Sequence, residues 1–307
     1  MAAASPVEGS APLIHLALPK GHMKDNVFKL MEEAGMKVKL GNDRAYRPSI
    51  SVPGYDVKLL KPQNILGLLK TGARDLGFAG LDWATELGLT GDVVELMDTK
   101  LDPVRIVAAA PTEDMLTKGK GLGGRKLVVA SEYEGICVVT RAAGSPPRVT
   151  RRGPAEFLRA YGATESLPPE DADCIVDNTA TGSTLRANNL HILETITRSS
   201  TRLFASKQAL ADPEKKAAID TFVLLLQSVL DARARSLLNF NVAADKLEEV
   251  LEGLPSMRAP TVTQLRGAEG FAVSTAVPTG DVPGLVPVLK AHGATDILVL
   301  PIQQLVA

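Results

Sequence analysis

The residues best equipped for chemistry lie in one stretch, Cys174-Ile175-Val176-Asp177-Asn178-Thr179-Ala180-Thr181-Gly182-Ser183-Thr184-Leu185. An apolar run ends in an acid, and a loop of small hydroxyl-bearing residues with one glycine follows. Leu185, Leu190, Leu193 and Ile196 recur at spacings of three to five and predict one face of a helix. The reading is strand, loop, helix. Such a loop offers hydroxyls, free backbone N–H groups and the positive end of a helix dipole, which suits a phosphate. Gly182 lets the backbone approach an anion that a Cβ would crowd. Asp177, at the strand's C-terminal end, lies where open α/β sheets place ligand contacts and can take sugar hydroxyls. The same pattern also suits an ordinary capped helix, because Ser and Thr are preferred N-caps.

Other candidates sit at further strand ends. Leu13 to Leu18 reads as a strand broken at Pro19-Lys20-Gly21, where Lys20 can meet a phosphate as a point charge or be a surface lysine in a tight turn. Val27, Leu30, Met31 and Ala34 then form a helical face. Asp56 to Leu60 is a strand, and Lys61-Pro62 opens a helix. Asp75-Leu76-Gly77-Phe78-Ala79-Gly80-Leu81-Asp82 is a glycine-punctuated strand ending in an acid, which also suits a helix N-cap.

Further strands are predicted at Val104–Ala110, Lys126–Ala130, Arg148–Arg151 and Thr201–Ser206, with a loop over Thr117–Arg125. Helices are predicted from Gly153–Leu158, on Pro154 at the first turn, and from Pro213 to about Arg235. The alternation argues for α/β with mostly parallel sheets. From Ser236 the pattern becomes βαββαβ, a ferredoxin-like order.

A chain of 307 residues has room for two or three domains. A net charge of −1 gives no reason to expect nucleic acid or an anionic membrane as partner. The longest apolar runs, such as Phe222–Leu226, are too short to span a bilayer. Residues 1–12 lack a basic and an apolar signal region and read as a disordered leader, consistent with a cytoplasmic chain. Cys137 and Cys174 lack paired spacing and read as buried thiols. The four histidines are scattered, so no metal held by protein side chains is expected.

Four strings in order carry a resemblance. The acid followed by Thr-Gly-x-Thr is similar to the 5-phosphoribosyl-1-pyrophosphate (PRPP) loop of phosphoribosyltransferases. The longer Ile-Val-Asp-x-x-x-Thr-Gly-x-Thr-Leu, continued by Arg186-Ala187-Asn188, resembles the ATP phosphoribosyltransferase family of histidine biosynthesis. Leu18-Pro19-Lys20-Gly21 and Asp-Leu-Gly-x-x-Gly-x-Asp, ending at Asp82, resemble the same family. So do Met257–Val262 and Gly293–Val299 near the C-terminus. The chain departs from the family's usual residues at His22 (Arg), Lys61 (Arg) and Asn64 (Asp). Glu165 lies one residue from the family's upstream Glu and receives no role.

The resemblance implies a two-lobed, periplasmic-binding-protein type II-like catalytic region and a C-terminal ferredoxin-like, ACT-like regulatory domain. Lobe I would hold 13–106 and 200–235, lobe II 107–199, and the regulatory domain 236–307. The implied reaction transfers phosphoribosyl from PRPP to N1 of ATP, with Mg²⁺ carried on the pyrophosphate. Asp177 would meet ribose hydroxyls, and Thr179, Ala180, Thr181, Gly182, Ser183, Thr184 and Leu185 would cradle the 5′-phosphate. Lys20, Gly21, Lys61, Asp82 and Tyr133 would lie on the ATP side. Histidine would bind as effector at Asn241 and Thr261, though the family often has Asp at the former. A homo-oligomer is implied, a hexamer in exchange with dimers. The competing class is a non-catalytic two-lobed binding or sensor protein of the same fold.

Overall fold

The computed structural model describes residues 12–41, 46–113, 125–137, 155–257, 259–267 and 269–306. The expected leader (but for Pro12), the strand at Arg148–Arg151, the turn at Gly153-Pro154 and most of the loop at Thr117–Arg125 lie outside them. The chain divides into two compact units. One holds the chain up to Lys29 with Val38–Ile219, the other Leu30–Lys37 with Asp220–Ala307.

The first unit opens with β1 (Ile14–Pro19) and the start of α1 (Met23–Glu33), whose last residues from Leu30 belong to the second unit, followed by a short pair, β2 (Val38–Lys39) and β3 (Ser49–Ile50). Then come β4 (Tyr55–Leu60), α2 (Pro62–Lys70), β5 (Leu76–Gly80), α3 (Leu81–Glu86) and β6 (Val93–Asp98). Leu16, Ala17 and Leu18 of β1 are fully buried, as a central strand covered on both faces requires. Pro62 sits at the first turn of α2, where its missing N–H costs nothing, and Ile65, Leu66 and Leu69 form the buried face.

A second sheet follows, from β7 (Val104–Ala110), β8 (Leu127–Ser131), β9 (Ala155–Arg159), β10 (Cys174–Thr179), the one-turn α4 (Ser183–Ala187) and β11 (His191–Ser199). β12 (Thr201–Ser206) then returns to the first sheet. The strand orders are β4-β1-β5-β12-β6 and β11-β7-β10-β8-β9. In each sheet two pairs run parallel and two antiparallel. The sheets are therefore mixed, not mostly parallel. The antiparallel members β7 and β12 are the strands that arrive from the opposite lobe.

The two crossovers lie side by side. Thr99 N donates to Thr201 O (3.2 Å), Thr201 N to Leu101 O (2.9 Å), and Ser200 Oγ to Asp98 Oδ1 (2.7 Å). β7 belongs wholly to the second sheet, so a lobe boundary at 106 falls inside a strand and moves to the crossover before Val104.

One expected helix is cut short and another is a strand. Leu190, Leu193 and Ile196 do not continue a helix: α4 stops after five residues and Asn189 turns at φ 56°. In the β-branched run Thr195-Ile196-Thr197, Thr195 and Thr197 then pair antiparallel with Val107 and Ile106 of β7, and Ile196 lies at a break in the register between them. Ala155–Leu158 likewise forms most of β9 and pairs parallel with β8, where the proline signal predicts a helix.

After β12, Ser206 caps α5 (Lys207–Ala211) by accepting from Ala209 N (3.0 Å). α6 (Pro213–Arg233) passes from the first unit into the second. In the second unit, β13 (Arg235–Val242), α7 (Leu247–Glu252), β14 (Thr261–Gln264), β15 (Phe271–Pro278), α8 (Val282–Ala291) and β16 (Thr295–Pro301) give an antiparallel sheet ordered β14-β15-β13-β16. This is the ferredoxin-like order. Leu238, Phe240 and Val242 alternate onto the buried face with Val250, Val273, Val277 and Leu289. Among the described residues no helix is long and apolar enough to cross a membrane.

Candidate active site

Three parallel neighbours, β4, β1 and β5, end on the same edge of the first sheet. Lys61 and Lys20 follow the ends of β4 and β1 directly, and Asp82 stands two residues past the end of β5. The two glycines of the Asp75–Asp82 string have separate steric reasons. A Cβ on Gly77 would meet Ile65 Cγ2 at 2.5 Å, so Gly77 lets α2 lie close on the sheet. A Cβ on Gly80 would meet Asp82 Oδ1 at 2.1 Å, so Gly80 leaves room for that carboxylate.

Asp82 is not the helix cap that its position suggests. Gly80 is the N-cap residue and makes no side-chain bond. Asp82 is instead buried and bonded across the crossover. Ser199 Oγ donates to its Oδ1 (2.7 Å) and accepts from its backbone N (2.9 Å). Tyr133 Oη donates to its Oδ2 (2.9 Å). Burial, then the charge of Asp82, raises the Tyr133 hydroxyl far above its ordinary range, so it remains a donor. The Trp83 and Tyr133 rings lie 5.1 Å apart.

A cavity of about 360 Å³ opens here. Lys20, Gly21, Lys61, Asp82 and Tyr133, the five residues named from sequence, all line it, together with His22 and Trp83. Lys20 Nζ stands 3.5 Å from the ring centroid of Tyr46. Two lysines, two aromatic rings and a buried acid suit a polyanion joined to a flat base that carries an amine.

A second cavity of about 400 Å³ lies at the end of β10. Asp177, Thr179, Ala180, Thr181, Ser183, Thr184 and Leu185 line it, together with Glu132 and Glu165. Gly182 does not, but it sits at φ 78°, where a side chain would be strained. Thr179 Oγ1 accepts from Gly182 N (2.9 Å), Ser183 N donates to Thr181 Oγ1 (3.3 Å), and Arg186 Nη1 donates to Thr181 O (3.1 Å). Two N–H groups expected to be free are thus held by the loop's own hydroxyls. The loop is shaped chiefly by these bonds, since α4 is too short to carry much dipole. Burial first, then the charges of Glu165 and Glu132, push the Asp177 carboxyl up to about 6.

Asn178 and Glu132 line both cavities and form their shared wall. Ser199, Asn178 and Trp83 were not singled out from sequence as site residues. The available signal was Trp83, the only tryptophan, placed directly after Asp82. Cys137 and Cys174 are buried thiols outside any disulfide. Burial drives both thiols up, Cys137 to about 12, so neither is a nucleophile at neutral pH. Among the described residues no group of three or more His, Cys, Asp or Glu could hold a metal ion.

The family model described as ATP phosphoribosyltransferase matches residues 61–228, more than half of the chain. The chain belongs to the ATP phosphoribosyltransferase family. A second model, the C-terminal domain of that family, matches residues 232–304. The ATP phosphoribosyltransferase of Pelotomaculum thermopropionicum is 34% identical over 308 residues, covering 95% of this chain and 99% of the relative. That of Desulforudis audaxviator is 35% identical over 298 residues, with 95% and 99% covered. A solved ATP phosphoribosyl transferase (HisG:HisZ) complex from Thermotoga maritima superposes with a TM-score of 0.58 at 22% identity. It covers 71% of this chain and 99% of that one, a likeness of fold.

In the ATP phosphoribosyltransferase C-terminal region, the expected effector residues stand on strands that flank β15. Asn241 pairs with Ala272 of β15, and Thr261 pairs with Ser274 on the far side of the same strand. Two strand spacings of about 4.8 Å each separate their strands. Asn241 Nδ2 donates to Asp296 Oδ2 (2.9 Å), which sets a carboxylate beside the amide.

Proposed function

We propose that this enzyme transfers the 5-phosphoribosyl group of PRPP to N1 of ATP, giving N1-(5-phosphoribosyl)-ATP and pyrophosphate at the entry to histidine biosynthesis. The observation that carries the proposal is the pair of cavities with a shared wall. One offers lysines, aromatic rings and an acid, and the other offers an acid and a hydroxyl-rich turn.

In this reading Lys20 and Lys61 meet the triphosphate of ATP, and Asp82 and Tyr133 lie at the adenine. Asp177 takes the ribose hydroxyls. The turn from Thr179 to Leu185 holds the 5′-phosphate through Thr181, Ser183 and Thr184. Adenine N1 attacks the ribose C1 as the C1–pyrophosphate oxygen bond breaks. The transition state resembles an oxocarbenium ion, so positioning and charge placement do most of the work. No nucleophile from the protein is required.

In this reading Mg²⁺ arrives on the pyrophosphate and keeps much of its water, and the single carboxylates Asp177, Glu165 and Glu132 along the cavity form no ligand cluster for it. When bound, that ion would neutralise the leaving group. Glu165 and Glu132 face the same space and can hold its coordinated water.

The C-terminal unit is the regulatory part in this proposal and takes histidine near Asn241 and Thr261. Asp296 supplies the negative charge that Asn241 lacks, for the effector's amine. The reading includes a cytoplasmic homo-oligomer, hexameric and in exchange with dimers.

The test is to mix the purified protein with ATP, PRPP, Mg²⁺ and pyrophosphatase and to follow the ultraviolet absorbance of N1-substituted adenine. Product formation that depends on both substrates supports the proposal. Folded protein that binds nucleotide yet forms no product favours the non-catalytic two-lobed binding protein.

A further inference from the structure

We infer that Asn178 and Tyr133 form a hydrogen-bonded relay coupling the two cavities, so that PRPP at Asp177 tightens the hold of Asp82 on the purine nucleotide. The inference rests on the two-substrate reading above and adds a regulation inside that site.

The relay is continuous. Asn178 donates its backbone N to Asp177 Oδ1 (2.7 Å), and its Nδ2 lies 3.5 Å from the same oxygen. That Nδ2 also donates to Tyr133 Oη (3.0 Å). Tyr133 in turn donates to Asp82 Oδ2 (2.9 Å), and Ser199 occupies the other carboxylate oxygen. A phenol has one proton, so Tyr133 gives it to Asp82 and accepts from Asn178. The direction of every link is thereby fixed.

The relay also joins the lobes. Asp177, Asn178 and Tyr133 belong to the second, and Asp82 follows β5 of the first. Tyr133 is 1% exposed, Ser199 5% and Asp82 7%. At that burial each bond polarises its neighbour, and a lost partner is costly. The Trp83 ring packs beside Tyr133, with the two planes tilted by 35°.

Asn178 is the exposed end of the chain of bonds and forms wall in both cavities. When sugar hydroxyls engage Asp177, the Asn178 amide is released from that carboxylate and commits to Tyr133. Tyr133 becomes the firmer donor to Asp82, which is then held in one orientation for the adenine. Linkage makes the effect reciprocal: nucleotide at Asp82 must strengthen PRPP binding by the same factor.

The probe pair is PRPP and an ATP analogue with carbon in place of N1, which cannot react. Calorimetry gives the analogue's Kd with and without saturating PRPP, and fluorescence of Trp83, the sole tryptophan, follows the same site. The expected wild-type ratio is roughly tenfold, inside the usual range of coupling between sites. Tyr133→Phe and Asn178→Ala should each bring the ratio to within about twofold of one, whatever they do to the separate affinities. A merely structural tyrosine would weaken both ligands and leave the ratio intact. Asn178 is exposed, so its alanine variant keeps the test valid if Tyr133→Phe folds poorly.

A ratio near one in the wild type, or a ratio that survives both variants, overturns the relay while the two-substrate reading stands. Failure of the wild type to bind PRPP, or PRPP binding indifferent to Asp177→Asn, removes that reading and the relay with it.

Discussion

The carboxylate of Asp82 occupies the space that a side chain on Gly80 would need. The ideal Cβ of residue 80 lies 2.1 Å from Asp82 Oδ1 and 3.6 Å from Ser199 Oγ. The backbone of Gly80 is ordinary (φ −72°), so the obstacle is the acid and not the conformation. Gly80→Ala must push Asp82 off Ser199 and Tyr133. The expected loss is about 1–3 kcal/mol of stability, as for an overpacked core. The KM for ATP should rise by about tenfold if one oriented charge-assisted hydrogen bond is lost. Steady-state kinetics beside thermal melts check this. A folded variant with unchanged ATP KM would detach Asp82 from the nucleotide.

The hydroxyl turn makes a different prediction. Thr181 and Thr184 are exposed, and the double change to Val removes the bond from Ser183 N to Thr181 Oγ1, so it should cost about 1 kcal/mol of stability. Their loss from an anion site should raise the PRPP KM by tenfold or more, since each bond to a charged group contributes about 1.5–3 kcal/mol. The ATP KM should move far less. Kinetics with each substrate varied in turn measure the contrast, and equal changes in both would show that the turn does not select the sugar phosphate.

Asp177 sets the pH dependence. Its carboxyl is pushed up to about 6, chiefly by burial, and it must be ionised to accept ribose hydroxyls. The logarithm of kcat/KM for PRPP should therefore fall with unit slope below pH about 6 and be level above it. The stability effect has the opposite sense. The native state binds this proton more tightly than the unfolded chain does. Stability is therefore fullest below the unfolded carboxyl pKa and declines as pH rises through the folded one. Asp177→Asn should lose the inflection, lose most activity, and gain on the order of 1–3 kcal/mol at neutral pH. Denaturant melts across pH 4–8 test the last point.

Asp296 tests the regulatory reading. It accepts from Asn241 and from Thr295 Oγ1 (3.1 Å) on an exposed edge strand, remote in the sequence from every residue of the two cavities. Asp296→Asn should raise the histidine concentration for half-inhibition by about tenfold, the worth of one lost ionic contact of about 1.4 kcal/mol, with kcat and both KM values unchanged. Inhibition as strong as before would place the effector's amine on another group.

Much of this protein was legible before any tertiary information. The strand-end positions of Lys20, Lys61, Asp82 and Asp177 follow from apolar runs that stop at a turn residue, and these are local signals. The βαββαβ order after residue 235 follows from alternation with period two, which a sheet with one buried face imposes. The family strings marked the same residues, because the turns they describe are built from neighbours in sequence.

The rest needed partners that the sequence does not place side by side. Leu190, Leu193 and Ile196 fit a helical face, yet β7 offers their neighbours His191, Ile192, Glu194, Thr195 and Thr197 a ladder, and a pairing with a segment some eighty to ninety residues earlier leaves no local trace. Asp82 in isolation is a sound helix cap. It becomes a buried, doubly bonded acid only because Ser199 and Tyr133, 117 and 51 residues away, arrive against it. Chain order determined which residues stand at strand ends. Folding decided which of those ends face each other, because hydrogen bonds and steric room are set by distance in space and not by separation along the backbone.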